Sequence, residues 1–295
     1  MKTIFMGTTE FGFKCFKKLL EMKENIVAVY VTPQFFKISW SKEPIRISTY
    51  KNFRNIAFKK GITLIEVTKK MDEYQEQIRN FKPDLIVAMG WYHIIPKSIL
   101  DIPKFGCVGI HASLLPKYRG GAPLVWTIIN GEKKTGISFI YLDERADVGD
   151  VIAQKEFSIT KKDTIKTVYE KATSSALRIL EDYIPKIKAG KAPRIKQDET
   201  KATYFPQRKP EQGIINWDEG SKEIYNFIRA LTKPYPGAFF FNEKKEKIKV
   251  WAARLPLRNK KNNLKPGTIL NPGERNMKIA TKDGYIIITN WKIEQ

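Results

Sequence analysis

The sequence predicts an α/β protein with a Rossmann-like, mostly parallel sheet in an N-terminal domain and a smaller, OB-like β-barrel after it. Three observations lead there. Short apolar runs alternate with helical patterns from Lys2 to about Lys188, the order of successive βα units. One of those runs, Asp84 to Met89, is apolar on both faces, as a central parallel strand is. Beyond residue 205 the chain turns to short β-like runs separated by turns. The 295 residues suffice for two such domains, and the expected division is 1–205 and 206–295.

Lys2 to Met6 reads as a strand, and Gly7-Thr-Thr-Glu-Phe-Gly12 turns into an amphipathic helix ending near Met22. Phe16, Leu19 and Leu20 mark its buried stripe. The glycine pattern of a dinucleotide fold is missing from that turn, which disfavours NAD or FAD. Ile26 to Val31 is a second strand, broken by Thr32-Pro33. From Phe35 to Tyr50 the chain is irregular, with Phe35, Phe36, Trp40 and Tyr50 set among Lys and Arg. Such a loop suits a nucleotide base and its phosphates, or it anchors itself to the domain surface. Ile62 to Val67 is a third strand, Met71 to Phe81 a helix, and Asp84 to Met89 the fourth strand. That strand ends in Gly90-Trp91-Tyr92-His93-Ile94-Ile95-Pro96, where His93 reads as a structural hydrogen-bond partner.

The stretch from Cys107 to Gln154 carries the chemistry. His111 follows the apolar run Cys107 to Ile110, and the loop behind it is broken by Pro116, Gly120, Gly121 and Pro123. A second apolar run, Ile137 to Leu142, leads to Asp143, Asp147 and Gly149. A histidine at one strand end and an aspartate after the next strand are placed to meet across adjacent strands. The carboxyl edge of an open α/β sheet is where ligands bind. Further on, Asp163 is a candidate cap for a helix reaching Lys188, with Val168, Ala172, Ala176, Leu180, Tyr183 and Ile187 at helical spacing. Residues 190 to 210 are rich in Lys, Pro and Gln and read as a linker. A helix from Ser221 to Leu231 precedes β-like runs at Ala238–Phe241, Ile248–Ala252, Thr268–Leu270, Met277–Ala280 and Tyr285–Thr289.

Composition narrows the classes. No apolar run approaches the roughly 20 residues that span a bilayer, and the start MKTIFMG lacks a signal-peptide pattern, so a cytoplasmic protein is expected. Cys15 and Cys107 sit in apolar surroundings and read as reduced core thiols. The two histidines form no chelating pattern, and no metal is expected. The formal charge is +22, yet only 12 of 53 basic residues are Arg and the lysines are spread over the whole length. A dispersed lysine excess is read as a solvated surface, with anionic substrates compatible but not required.

The motifs resemble those of the family that transfers formyl groups from N10-formyltetrahydrofolate. IHASLLPKYRGGAP is similar to its H-x-S-L-L-P-x-x-R-G loop, and ADVGDVIAQ to its D-x-G signature. KPDLIVAMGWYHIIP resembles the strand and loop that hold the folate pteridine, and MKTIFMGTTEFG the family's opening. ATYFPQRKPEQGIINWDEGSKEIYNFIRALTKPYPGAFF looks like the start of the C-terminal module of methionyl-tRNA and amino-sugar formyltransferases. The resemblance implies N10-formyltetrahydrofolate as formyl donor, with tetrahydrofolate released. His111 would stabilise the oxyanion and shuttle a proton, with Asp147 orienting it. It further implies that Met89, Gly90, Trp91, Tyr92, Ile94, Ile95, Leu114, Leu115, Asp143, Glu144 and Asp147 hold the folate. Phe36, Ser39, Trp40, Lys42, Arg119, Gly120, Gly121 and Tyr235 would meet the acceptor.

One departure stands out. The family pattern is N-x-H, and Gly109 occupies the asparagine position. Loss of one oxyanion donor costs on the order of 10²–10³ in rate, so another donor is expected to substitute. FFKISWSKEPIRISTY lacks the basic insertion of the tRNA enzymes. The resemblance therefore ranks a UDP- or dTDP-linked 4-amino-4,6-dideoxy sugar first as acceptor, methionyl-tRNA second, and a non-catalytic binding protein third. A homodimer through the C-terminal half is compatible with the sequence.

Overall fold

A seven-stranded sheet organises the first part of the chain, in the order Val151–Ser158, Lys134–Tyr141, Cys107–His111, Leu85–Ala88, Lys2–Met6, Asn25–Val31, Thr63–Glu66. The computed structural model describes residues 1–37, 44–258, 261–271 and 274–294. The early elements are β1 (Lys2–Met6), α1 (Glu10–Glu21), β2 (Asn25–Val31), β3 (Phe35–Phe36), β4 (Ile45–Arg46), α2 (Arg54–Lys59) and β5 (Thr63–Glu66). They are followed by α3 (Gln75–Asn80), β6 (Leu85–Ala88), α4 (Lys97–Leu100), β7 (Cys107–His111) and β8 (Arg119–Gly120). Next come α5 (Pro123–Ile129), β9 (Lys134–Tyr141), β10 (Val151–Ser158), α6 (Ile165–Lys188) and β11 (Tyr204–Phe205). The chain ends with α7 (Ser221–Leu231), β12 (Ala238–Phe241), β13 (Lys247–Arg254), β14 (Met277–Thr281) and β15 (Gly284–Ile293).

Strands β5, β2, β1, β6 and β7 pair in parallel, and β9 joins β7 antiparallel. β6 is buried at all four positions, as the doubly apolar run required. Its core includes Ile4, Met6, Tyr30, Ile86 and Ile99, with Cys107 among them. The helix at Met71 to Phe81 is split, with a 3₁₀ turn at Met71–Tyr74 before α3. Asp163 accepts hydrogen bonds from the Thr160 N–H and from the hydroxyls of Thr160 and Thr167, which ties down the start of α6.

Glycines let the loop after β6 lie against the β1–α1 turn. A Cβ on Gly12 would stand 2.2 Å from the Met89 carbonyl oxygen. Gly90 has φ +62, and a Cβ there would stand 2.0 Å from Thr9 Oγ1, the atom that caps α1 through the Gly12 N–H. The turn that would have carried dinucleotide glycines instead seats a neighbouring loop.

The chain forms two compact units. One comprises 1–120, 136–156 and 171–204, and the other 121–135, 157–170 and 205–295. The second unit holds an antiparallel sheet in the order β12-β13-β15-β14. α7 packs on it, with Ile224 and Ile228 buried as are Phe240, Val250, Ile279 and Ile288. Of the expected run at Thr268–Leu270, the described residues keep one isolated bridge, Ile269 to Ile279.

Gly90→Ala is expected to lower stability by about 1–3 kcal/mol, because it combines left-handed strain with a clash. Gly61→Ala isolates the strain, since Gly61 has φ +64 but nothing within 4 Å of its added Cβ. Urea midpoints of the two variants should differ, with Gly90→Ala the lower.

Candidate active site

His111 ends β7, and its Nδ1 lies 3.1 Å from Asp147 Oδ1. The route that brings them together is less direct than adjacent strand ends. β9 runs antiparallel to β7, with His111 opposite Ser138 and Val108 opposite Tyr141. The chain therefore leaves β9 beside the start of β7, where the Leu142 N–H donates to the Cys107 carbonyl at 2.8 Å. The segment between β9 and β10 has to turn back, and Asp147 does so in a left-handed conformation with φ +62.

Burial opposes the charged form of Asp147, yet its carboxyl is held below the ordinary value. The hydrogen bond and charge of His111, the Gly120 N–H at 2.8 Å from Oδ2, and the Arg119 charge outweigh that burial. The other ring nitrogen, His111 Nε2, lies 2.7 Å from the Tyr118 carbonyl oxygen. Both ring nitrogens thus face oxygen atoms of the protein. Tyr118 has φ +60, a conformation that turns its carbonyl into the ring. The loop is pinned from behind: Ser113 Oγ donates to the Lys117 carbonyl, and Ser138 Oγ joins the Ser113 carbonyl to the Leu115 N–H.

Arg119, expected at the acceptor, lies in the wall instead. It is 0% exposed and all five guanidinium N–H groups are used. Nε and Nη2 donate to Gln197 Oε1, Nη2 and Nη1 to the two oxygens of Glu199, and Nη1 to the Tyr204 hydroxyl. No donor remains for a substrate. The supposed linker is correspondingly a strap: Ile195 exchanges backbone hydrogen bonds with Val151, and the Arg119 N–H donates to the Thr203 carbonyl. Sequence reading missed Gln197, Glu199 and Tyr204. Their partner is 78 to 85 residues away, and nothing local marks the pairing.

The loop after β6 leaves the sheet at the same edge as His111, since Ala88 pairs with Gly109. Met89 and Ile95 are buried, Trp91 half-buried, and Tyr92 and Ile94 exposed. Phe36 brings an aromatic face to this loop, with ring centroids 5.3 Å from Tyr92 and 5.9 Å from His93, and Trp91 stands 5.0 Å from His93. Trp91 Nε1 and His93 Nε2 are buried without a partner among the described residues. Burial lowers the pKa of His93. Ser39, Trp40 and Lys42 lie outside the described residues. Leu115 packs with Ile140 and Val151, and Leu114 lies against Gly136. A cavity of about 300 Å³ is lined by Leu100, Cys107, Leu142, Asp143 and Glu144, together with Tyr141 and the Arg194 that stacks on it. In the second unit, the Gly121 N–H donates to the Phe205 carbonyl, and the Tyr235 hydroxyl meets that of Tyr169 at 2.8 Å.

Residues 1–184 match the formyl transferase family and residues 208–295 its C-terminal domain. A methionyl-tRNA formyltransferase of Geobacillus sp. (strain WCH70) is 38% identical, over 98% of this chain and 86% of that protein. The chain belongs to the formyltransferase family. Among solved structures, an N-formyltransferase from Helicobacter canadensis in complex with folinic acid and dTDP-3-aminofucose superposes with a TM-score of 0.73. It is 22% identical, covering 99% of this chain and 100% of that one. The methionyl-tRNA formyltransferase from Clostridium thermocellum has a TM-score of 0.61 at 25% identity, covering 100% and 99%.

Family members are enzymes that take the formyl group from N10-formyltetrahydrofolate. Gly109 is closed off as well as bare. A Cβ there would stand 2.9 Å from Leu142 Cδ2 and 3.0 Å from the Ala88 carbonyl oxygen. Leu142 fills the space into which a side chain at this position would grow.

Gly109→Asn is therefore expected to cost about 1–3 kcal/mol and to leave the transfer rate no higher. Adding Leu142→Ala should recover part of the stability, read from thermal midpoints of the single and double variants. A carboxyl held below its unfolded value contributes stability above that unfolded value, and loses it as pH falls through the native one. The stability difference between the wild type and Asp147→Asn should thus be flat near neutrality and vanish below the ordinary carboxylate range, measured by urea unfolding from pH 7 to pH 2.

Proposed function

We propose that the protein transfers the formyl group of N10-formyltetrahydrofolate to the primary amine of a nucleotide-linked amino sugar. The observation that carries this reading is the aromatic shelf of Phe36, Trp91, Tyr92 and His93 at the edge of the sheet that holds His111. Rings of this kind stack on a base or a sugar face. The structure of the Helicobacter canadensis enzyme in complex with folinic acid and dTDP-3-aminofucose supports the same class of acceptor.

In this reading the amine nitrogen bonds to the formyl carbon and the carbonyl oxygen takes up negative charge. The bond from that carbon to N10 then breaks; the amine loses a proton, N10 gains one, and tetrahydrofolate leaves. His111 Nε2–H supplies the donor to the oxyanion, exchanging the Tyr118 carbonyl for it. Asp147 fixes the ring through Nδ1. Gly109 adds no side-chain donor, so the rate rests more heavily on His111 than where an asparagine stands beside it.

A second reading is methionyl-tRNA formyltransferase. It is favoured by relatives of that name at 32–38% identity over nearly the whole chain, and by a net charge of +22 that suits a polyanion. The two readings separate in one assay. Release of tetrahydrofolate is followed with UDP- and dTDP-linked 4-amino-4,6-dideoxy sugars, and separately with charged initiator methionyl-tRNA, over a series of salt concentrations. Turnover with a sugar nucleotide that ignores added tRNA is expected. Turnover confined to the charged tRNA and falling steeply with salt would overturn the sugar reading. His111→Ala should lose about 10²–10⁴-fold in kcat while formyl-donor binding, measured by calorimetry, stays near wild type.

A further inference from the structure

We infer that Gln197 is a positioning residue for formyl transfer, joining the buried Arg119 to the backbone that presents Asp147. The inference rests on the reading of His111 and Asp147 as the reacting pair. Its basis is the way one amide is saturated. Gln197 Oε1 accepts from Arg119 Nε at 3.2 Å and Nη2 at 2.8 Å. Gln197 Nε2 donates to the Asp147 carbonyl at 2.9 Å and to the Gly149 carbonyl at 2.8 Å. A guanidinium offers only donors and a backbone carbonyl only acceptors, so one orientation of the amide serves all four contacts.

The contacts act where the backbone is under strain. Asp147 has φ +62, uncommon for a residue with a side chain. Gly149 approaches so closely that a Cβ would stand 1.8 Å from the Tyr141 carbonyl oxygen. Asp147 is thus held at both ends: its carboxylate by His111 and the Gly120 N–H, its own carbonyl by Gln197. Gln197 is in turn fixed by Arg119, which Glu199 grips with both oxygens and Tyr204 with its hydroxyl. Arg119 immediately precedes Gly120, so the same arginine anchors the His111-side loop and, through Gln197, the Asp147 loop. No atom of Gln197 need touch the substrate for this to control the His111–Asp147 distance.

Gln197→Met keeps the volume and the neutrality but removes both the donors and the acceptor. Any change at Asp147 then comes from movement of the loop or of Arg119 rather than from a new charge. Two readouts are taken on the full-length chain. The first is the titration of the Asp147 side-chain carboxyl by carbon-13 NMR, assigned by comparison with Asp147→Asn. The groups facing this carboxyl are His111, the Gly120 N–H and Arg119. Release of the loop should raise its midpoint toward the ordinary carboxylate value, and the acid limb of kcat/KM should move up with it. The second is the split between kcat and KM. A displacement of this kind should lower kcat by about 10–100-fold with little change in KM for the formyl donor. Gln197→Ala, which admits water to the two carbonyls, repeats both measurements if the methionine variant does not fold. An unmoved Asp147 midpoint with unchanged kcat in a folded variant would overturn the inference, as would lower thermal stability accompanied by full activity per folded molecule. The titration needs no acceptor, so failure to find formyl transfer to any amine faults the functional reading, while the midpoint still decides this one.

Discussion

The carboxylate of Asp147 has to reach His111 against the direction of the strand that leads to it. β9 runs antiparallel to β7 and delivers the chain to the far end of that strand, beside Cys107. A returning loop has no ladder of its own to fix it, and one hydrogen-bonding contact with an imidazole is a weak organiser of backbone. Three supports replace the missing ladder: a left-handed residue at Asp147, a glycine at 149 that admits close packing on Tyr141, and the amide of Gln197 on two carbonyls. The pair at the centre of the site is a consequence of these backbone arrangements.

That arrangement explains how a charged arginine can be the largest fully buried side chain among the described residues. Burying a guanidinium is costly unless each N–H finds an acceptor, and a half-satisfied one is worse than an apolar residue. Arg119 meets the condition with Gln197, Glu199 and Tyr204, and the Glu199 hydrogen bond leads the causes that raise its pKa. The charge acts on its surroundings as well, since it contributes to holding Asp147 ionised. The other side of the site is governed by space. Leu142 Cδ2 and the Ala88 carbonyl crowd the volume beside Gly109, so a side chain there requires Leu142 to move.

The identity of the reacting family was legible in local motifs, because a strand end, a proline-broken loop and an aspartate–glycine pair keep their spacing in the chain. The alternation of βα units was legible for the same reason, through burial patterns such as the fully buried β6 and the apolar stripe of α1. The errors are instructive. The resemblance of its loop to the family's assigns Arg119 to the acceptor, and a buried, saturated guanidinium has no sequence signature. Residues 190–210 looked like a linker because Lys, Pro and Gln are what linkers contain, while Ile195, Gln197 and Thr203 make backbone or amide contacts that composition does not register.

The sequence by itself determined the parallel core, the helical units and the presence of His111 and Asp147 at the ends of apolar runs. Each of these depends on period and spacing, which are properties of neighbours along the chain. Only the tertiary structure decided which nitrogen of His111 meets the carboxylate, that β9 turns antiparallel, that Gly109 is filled from Leu142, and that Gln197 ties Arg119 to the Asp147 loop. Those outcomes depend on donors, acceptors and volumes brought together from positions tens of residues apart, and no local pattern encodes such a meeting.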